Sequence, residues 1–326
     1  VEALLLHTDL RKQVQHLIKQ CGDLERLVAK LPLKKINPRE VLHLAKSLQY
    51  ANELKQLCAE SSSNYLKRLS DTINPCSLIA DKIISTLTEQ PPVAVSKGMV
   101  IKDGVNKELD ELRRIAHHGK EYLLEIQQRE SEVTGIPSLK ISFNNVFGYY
   151  LEVTNVHKSK VPAEWTRKQT LANAERYITP ELKEYEEKIT GAEEKILVIE
   201  AALFEQLLNE LQEYVSSVQT NAQVMAIIDC LGSFAENALQ YKYVKPKLHE
   251  GDALTAKDVR HPVIERQLPA GEPYIANDIL LDKEQQQIII LTGPNMSGKS
   301  ALLRQTGLIV LMAHMGSFVP ASEAQI

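Results

Sequence analysis

The sequence is poor in cysteine, in aromatic residues and in long apolar runs. Of its 326 residues four are cysteine, one is tryptophan and 5% are aromatic. Cys21, Cys58, Cys76 and Cys230 form no C-x-x-C pair and have no histidine beside them at metal-ligand spacing. This pattern favours reduced thiols of a cytoplasmic protein over disulfides or a zinc site.

Further absences concern membranes and bulk charge. No secretory signal follows Val1 and no apolar run approaches about 18 residues, so we expect no membrane span or anchor. The net charge of −4 argues against a uniformly basic nucleic-acid coat but leaves room for a local basic patch. The length suits two or three domains. The abrupt end at Ala324-Gln325-Ile326 leads us to expect a piece of a larger protein.

One segment matches the phosphate-binding loop pattern G-x-x-x-x-G-K-[ST] at every fixed position: Gly293-Pro294-Asn295-Met296-Ser297-Gly298-Lys299-Ser300. The β-branched run 288–291 before it predicts a strand buried on both faces. Apolar residues recur at helical spacing after it: Leu302, Leu303, Leu308, Ile309 and Met312. The loop is therefore predicted to join a strand to a helix.

The residue types in this loop suit a polyphosphate. Gly293 and Gly298 let successive backbone N–H groups turn inward, towards the positive end of the following helix. Lys299 would reach the β- and γ-phosphates, and the Ser300 hydroxyl would bind Mg²⁺. The alternative is a glycine-rich turn that happens to contain Lys-Ser. We predict a nucleoside triphosphate site.

The first ninety residues have helical periodicity. Asn37 is placed as an N-cap, Pro38 as the first helical residue and Glu40 as the partner in a capping box. Val41, Leu44 and Leu48 then predict a buried face. The segment 93–101 is predicted as a short strand, ended by a turn at 102–104.

Two long helices are predicted on either side of an alternating insert. The first ends near Gly135, and the second begins after Thr179-Pro180 and could extend for about 50 Å. Between them Leu139, Ile141 and Phe143, then Tyr149, Leu151 and Val153, alternate as in two strands, with a turn at Asn144-Asn145. Two antiparallel arms carrying a β-rich tip would explain this order; an ordinary helical bundle with a hairpin insertion would also fit.

The insert is more basic than the rest of the chain. Residues 131–180 contain six Lys or Arg and four Asp or Glu, a balance of +2. Arg167, Lys168, Thr170 and Asn173 are residue types that contact phosphates. By composition alone such a cluster is more often a solvated face.

The chain is then predicted to return through a helix that contains Ile227, Leu231, Phe234 and Leu239. The change to Lys, Pro and Gly over 243–252 marks the predicted boundary of the nucleotide domain. Within that domain Tyr274 could belong to the core or could stack on a base.

Several motifs together resemble the MutS-type DNA mismatch repair ATPases. They are the loop 292–300 with Arg304-Gln305-Thr306, Gly316 to Ala321, Phe147 to Val153, Arg167 to Tyr177, Arg260-His261-Pro262 and Cys21 to Arg26. The similarity extends over the whole chain, with the motifs in the family's order. The loop departs from the family at Ser297, where Gly is usual, and at Ala301, where Thr is usual.

The resemblance implies a fold and a set of domains. It implies a multidomain, mostly α-helical protein: core and lever helices over 1–130, a β-rich clamp that contacts the DNA backbone over 131–180, returning lever helices over 181–246, and the start of an α/β ABC-type ATPase domain over 247–326.

It also implies site residues. Arg167, Lys168, Thr170 and Asn173, with Asn144 and Lys158, would contact DNA. Tyr274, where the family usually has Phe, would stack on adenine beside Ile275. The cofactors would be ATP and Mg²⁺.

The implied function is that of a DNA-dependent ATPase acting as a dimeric clamp. It would bind double-stranded DNA with mismatches and engage a downstream repair protein of the MutL type, in the cytoplasm or on a bacterial nucleoid. The Phe-x-Glu wedge, the Asp-Glu strand that holds Mg²⁺ and the signature loop are absent from the sequence, so we expect nucleotide binding without turnover. A recombination relative, a P-loop kinase or GTPase, and a coiled-coil protein remain alternatives.

Overall fold

A computed structural model of the chain describes residues 1–144, 146, 148–269, 271–294 and 298–326, without the side chains of 118–120 and 188–190. The described helices are α1 Glu2–Leu6, α2 Thr8–Cys21, α3 Leu24–Ala29, α4 Pro38–Ala59, α5 Asn64–Thr72, α6 Ser77–Thr86, α7 Lys107–Thr134, α8 Pro180–Gln212, α9 Val215–Tyr241, α10 Ile264–Gln267 and α11 Lys299–His314. The strands are β1 Lys140–Asn144, β2 Gly148–Thr154, β3 Thr166–Thr170, β4 Ala174–Ile178, β5 Leu254–Val259, β6 Asn277–Leu281 and β7 Glu323–Gln325.

The chain divides into two compact units. One contains Val1–Ala29, Lys46–Ala80 and Tyr214–Ile326, and the other contains Lys30–Ala45 and Asp81–Glu213. The predicted mostly helical architecture with a β-rich insert is confirmed, and the described strands form two small antiparallel sheets. None of the described helices combines the length and the apolar character that a membrane crossing requires. All four cysteines are free, as predicted, and burial raises the pKa of Cys21 to about 12.

Helix α9 is the centre of the first unit, where α1, α2, α3 and α5 pack against it. Its buried stripe ends in the small residues Gly232, Ala235 and Ala238, which let neighbouring helices approach closely. The chain is helical here, as predicted, although two of the apolar residues that indicated the helix, Ile227 and Leu239, are 40% and 56% exposed. Glycine and alanine contribute little to an apolar periodicity, so the sequence pattern did not identify the packed face of α9.

The first unit also contains a three-stranded antiparallel sheet in the order β6-β5-β7. It shares a core with α11, in which Val259, Ile279, Ile309 and Ala313 are buried. The predicted buried strand at 288–291 was wrong, because these residues form no ladder and Ile290 is 83% exposed. A strand needs neighbours for its backbone hydrogen bonds, and no described residue pairs with this run.

The second unit is built on α7 and α8, and their caps follow the sequence signals. Asn106 accepts from the Leu109 N–H at 2.9 Å, and Thr179 accepts from the Leu182 N–H at 3.1 Å. Gly135 ends α7 in the left-handed conformation that glycine adopts without a Cβ penalty. The 33 residues of α8 correspond to about 50 Å, as predicted.

The two long helices lie antiparallel. Tyr122 stacks on Tyr185 with ring centroids 4.0 Å apart, and further along α7 Arg129 pairs with Glu181 at 2.5 Å. Since the partner number falls as the α7 number rises, the helices run in opposite directions. The chain between their adjacent ends is a four-stranded antiparallel sheet in the order β1-β2-β4-β3.

Residues 93–101, predicted as a strand, are mainly a loop with one 3₁₀ turn at Val95–Lys97 and a single bridge between Leu87 and Ile101. The loop is held by Glu200 of α8, which accepts from the N–H groups of Met99 and Val100, each at 3.2 Å. A side chain therefore satisfies the amides that a strand partner would have bonded.

The capping box that begins α4 is confirmed. Asn37 Oδ1 accepts from the Glu40 N–H at 3.0 Å, and Glu40 Oε2 accepts from the Asn37 N–H at 3.1 Å. Two N–H groups that a helix start leaves unpaired are thus satisfied reciprocally.

Candidate functional sites

The segment 293–300 leads directly into the N-terminus of α11. Gly298 is the N-cap residue with φ 86°, and Gly293 has φ 146°. Both are left-handed backbone conformations that favour glycine. Asn295, Met296 and Ser297, which were predicted to bind nucleotide, lie outside the described residues.

Lys299 is the first residue of α11. Its Nζ donates to the carbonyl oxygens of Gly293 and Pro294, so the side chain points back towards these two residues. Ser300 follows in the first helical turn and is exposed. The cation, the hydroxyl and the unpaired N–H groups of a helix start thus share one end of α11, an arrangement suited to an anion.

At the N-terminus of α11 the Ser300 hydroxyl is a candidate ligand for Mg²⁺. Among the described residues no group of three or more His, Cys, Asp or Glu side chains could hold a metal ion. A single hydroxyl fits a cation whose other ligands are phosphate oxygens and water, as is usual for Mg²⁺ bound with nucleotides.

Tyr274 is half-buried, and its hydroxyl donates to Oε1 of Gln305 in α11 at 2.8 Å. Burial, followed by the nearby charge of Glu265, raises the pKa of the Tyr274 hydroxyl, which stays protonated and able to donate. The neighbouring Ile275 is 84% exposed. One end of the Tyr274 side chain is thus fixed to the helix that begins at Lys299.

In the β-rich insert the structure brings Lys158 and Arg167 together at one carboxylate. Lys158 Nζ lies 2.6 Å and Arg167 Nη1 lies 3.3 Å from the same oxygen, Oε1 of Glu175. The Glu175 side chain is 2% exposed, while those of Lys158 and Arg167 are 53% and 57% exposed. The carboxylate is therefore covered and the cations stay accessible to solvent.

Tyr177 completes this cluster by donating to the other carboxylate oxygen of Glu175. Hydrogen bonds from Lys158 and then from Tyr177 lower the pKa of Glu175. Burial and the bond to Glu175 raise the pKa of Tyr177 to about 12. Two cations against one buried anion leave a local charge of +1 at this surface.

Lys168 lies in different surroundings from Arg167, although they are adjacent in sequence. The register of β3 against β4 shifts between Arg167 and Gln169, which makes Lys168 the extra residue of a bulge. Lys168 lines a cavity of about 920 Å³ whose other walls include Thr166 and Glu186.

The other predicted DNA contacts lie in the turns of the same sheet. Thr170 and Asn173 are exposed at the β3–β4 connection, where the Asn173 carbonyl accepts from the Asn155 N–H at 3.1 Å. Asn144 Oδ1 accepts from the Val146 N–H at 2.7 Å in the β1–β2 turn. Its side-chain oxygen is thus already used within the turn.

Two residues of these sites were not identified from sequence. Glu175 was counted only as a charge that reduced the basic balance of the insert. Gln305 is 0% exposed and occupies the buried stripe of α11 that continues through Ile309 and Ala313. The available signal was a polar residue four positions before Ile309, on the same face of the helix, since buried polar groups require partners.

Comparison with known proteins gives matches along the chain. Residues 104–195 match the model of MutS family domain IV, and residues 289–326 match that of MutS domain V. The chain is 55% identical over all 326 residues to the DNA mismatch repair protein MutS of Bacteroides thetaiotaomicron, and covers 38% of that protein. It is 58% identical over 309 residues to the protein of the same name from Parabacteroides distasonis, covering 95% of this chain and 36% of the relative.

A third relative, the DNA mismatch repair protein MutS of Flavobacterium johnsoniae, is 56% identical over 326 residues, again with 38% of the relative covered. The chain thus spans a little over a third of the length of these relatives. Two family domains match in order, and the identity exceeds one half along the whole sequence. The chain therefore belongs to the MutS family.

Proposed function

We propose that this chain supplies the helical arms, the DNA clamp and part of the ATP site of a mismatch-recognition protein. The domain boundaries that we propose are 1–130, 131–180, 181–246 and 247–326. Mismatch repair is favoured over recombination because these relatives are DNA mismatch repair proteins. The observation that carries the DNA-binding part is the exposed pair of cations, Lys158 and Arg167, on one buried carboxylate at the end of two long helices.

In this proposal the insert contacts the phosphate backbone without reading sequence. Arg167, Lys168 and Lys158 provide charge, while Thr170, Asn173 and Asn144 provide neutral donors. Because such contacts release counterions, binding should weaken steeply with salt, with a slope of about 0.9 per phosphate neutralised. A dimer would place two such clamps on one duplex carrying a mismatch.

The test is DNA filter binding by the complete protein at increasing salt concentration. Replacing both Arg167 and Lys168 by Ala should reduce the slope of log K against log salt by about 1.8, two contacts at about 0.9 each. The matched control removes two cations of α2, Lys12→Ala and Lys19→Ala, which are exposed and lie outside the insert. An unchanged slope in the insert variant, or an equal change in the control, would exclude this clamp.

The ATP site would comprise residues 293–300 with Tyr274 and Ile275. Lys299 would contact the phosphates, Ser300 would hold Mg²⁺, and Tyr274 would stack on adenine. Mg²⁺, when bound, neutralises charge on the phosphates. The backbone angles of Gly293 and Gly298 and the position of Lys299 at the start of α11 support this site over an incidental turn.

Lys299→Ala should weaken ATP binding roughly ten- to hundredfold, the size of one or two charge-assisted hydrogen bonds. Lys283→Ala is the control, because Lys283 is an exposed lysine outside the loop that pairs with Asp252. Equal affinity in wild type and Lys299→Ala would refute the site.

We propose further that the 326-residue chain binds ATP without sustained turnover, since the Asp-Glu pair expected to activate water is not in its sequence. In the complete dimer, hydrolysis would change how the subunits pack, and stiff helices such as α7 and α8 would carry the change to the clamp and to a MutL-type partner. A Lys299-dependent ATPase in this chain would contradict the absence of turnover.

A further inference from the structure

Gln305 is a buried polar residue to which the sites described above assign no function. It lies in α11, about two turns after Lys299, with 0% of its surface exposed. Its Nε2 donates to the carbonyl of Val259 at the end of β5, at 3.0 Å. Its Oε1 accepts from the Tyr274 hydroxyl at 2.8 Å.

The direction of both bonds follows from chemistry. The Val259 carbonyl can only accept, so the NH₂ end of the Gln305 amide must face it. This leaves Oε1 facing Tyr274, whose hydroxyl can donate. One amide thus joins three elements: strand β5, helix α11 and the segment that carries Tyr274. Because Gln305 is fully buried, neither bond can be exchanged readily for water.

We infer that Gln305 is a positioning residue for the nucleotide base. It holds the Tyr274 ring at a set place relative to α11, the helix whose N-terminus would contact the phosphates. The inference rests on the proposed ATP site. It adds that Gln305 keeps a constant distance between the part of the site that would bind the base and the part that would bind the phosphates. Tyr274 without this bond would have to be ordered on binding, at a cost in affinity.

The inference predicts a loss confined to ligands that carry a base. The measurement is the dissociation constant of ATP and of inorganic tripolyphosphate, by calorimetry, for the 326-residue chain and for the full-length protein. Tyr274→Phe, which keeps the ring and removes only the hydroxyl, should weaken ATP roughly fivefold. Tripolyphosphate affinity should stay within about twofold, because that ligand does not touch Tyr274.

A double-mutant cycle identifies the partner. Gln305→Met should weaken ATP about as much as Tyr274→Phe, and the double variant should lose little more than either single variant. Additive losses would show that the two side chains act separately and would overturn the inference. Tyr274→Phe, which leaves the Gln305–Val259 bond in place, keeps the test valid if Gln305→Met does not fold.

The remaining outcomes separate this inference from the proposed site. An equal loss of ATP and tripolyphosphate in Tyr274→Phe would show a merely structural bond, and an unchanged ATP affinity would show that the hydroxyl does not matter. Either result overturns the role of Gln305, provided that Lys299→Ala still weakens the binding of both ligands. If Lys299→Ala changes neither ligand, the ATP site itself is refuted, and the role of Gln305 with it.

Discussion

Replacing Glu200 by Ala should be the most damaging single change in the second unit. The Glu200 carboxylate is fully buried, pairs with the Arg113 guanidinium, and accepts from the N–H groups of Met99 and Val100 at 3.2 Å each. Met99 has φ 62°, a left-handed conformation that a residue with a side chain adopts only when its surroundings hold it there. One carboxylate thus ties α7, α8 and the loop between 95 and 101 together.

The magnitude follows from the groups left behind. Removing one partner of a buried ion pair costs about 3–5 kcal/mol. Arg113 keeps two partners, Asp103 at 2.6 Å and the Ile101 carbonyl at 2.8 Å. The cost of breaking the ion pair should therefore lie near the lower limit of about 3 kcal/mol. The two freed amides add about 1 kcal/mol each. We expect about 5 kcal/mol of lost stability in this unit, about 3 from the ion pair and about 2 from the two amides.

The assay uses the one tryptophan of the chain as a local probe. Trp165 is 6% exposed in the core of the insert, together with Leu123 of α7 and Leu182 of α8. Its fluorescence during urea unfolding therefore reports on this unit. With a slope of about 2 kcal/mol per molar urea, Glu200→Ala should lower the midpoint by about 2.5 M. Hydrogen exchange at the Met99 and Val100 amides should accelerate in parallel.

Two comparisons check the reasoning. Glu194→Ala removes an exposed carboxylate from the same helix and should change stability by less than about 0.5 kcal/mol. Replacing Arg113 and Glu200 together by Leu should cost less than Glu200→Ala, because no charge is left buried without its partner. A loss below about 1 kcal/mol in Glu200→Ala, or unchanged exchange at the two amides, would refute the role given to this carboxylate.

Three further predictions concern the insert and the start of α4. Gly148→Ala should cost at least about 1–2 kcal/mol, because Gly148 has φ 74° and an added Cβ would lie 1.7 Å from Glu186 Oε1; adding Glu186→Ala removes the contact but not the backbone strain, so a full rescue in urea unfolding would contradict this account. The lowered pKa of Glu175 means that its contribution is present above its ordinary value of 4.5 and is lost as pH falls through the lowered value; acid unfolding followed by Trp165 should therefore depend less on pH in Glu175→Gln, and an unaltered profile would exclude that source. Asn37→Ala should lower the free energy of unfolding by about 0.5–2 kcal/mol, measured in thermal melts followed by circular dichroism, because the N-cap of α4 is lost. A loss below about 0.3 kcal/mol would show that the cap contributes nothing to stability.

Local signals in the sequence determined where the long elements begin and end. Asn37 with Glu40, Thr179 before Pro180, and Gly135 each satisfy or terminate backbone groups within a few residues, so their geometry follows from neighbours in the chain. The alternation on either side of Asn144 likewise predicted β1 and β2. The same is true of the glycine spacing around Lys299, which depends on backbone freedom at Gly293 and Gly298.

Only the tertiary structure shows which residues contact each other. The packed side of α9 depends on small residues such as Ala235, which apolar periodicity overlooks. The run at 288–291 pairs with no strand in the described part of the chain, and no local pattern could show this. Glu175 and Gln305 acquired their places through partners distant in sequence: Lys158 for the first, and Tyr274 for the second, 31 residues away. A buried polar side chain needs hydrogen-bond partners. When these partners are distant in sequence, only folding brings them into contact.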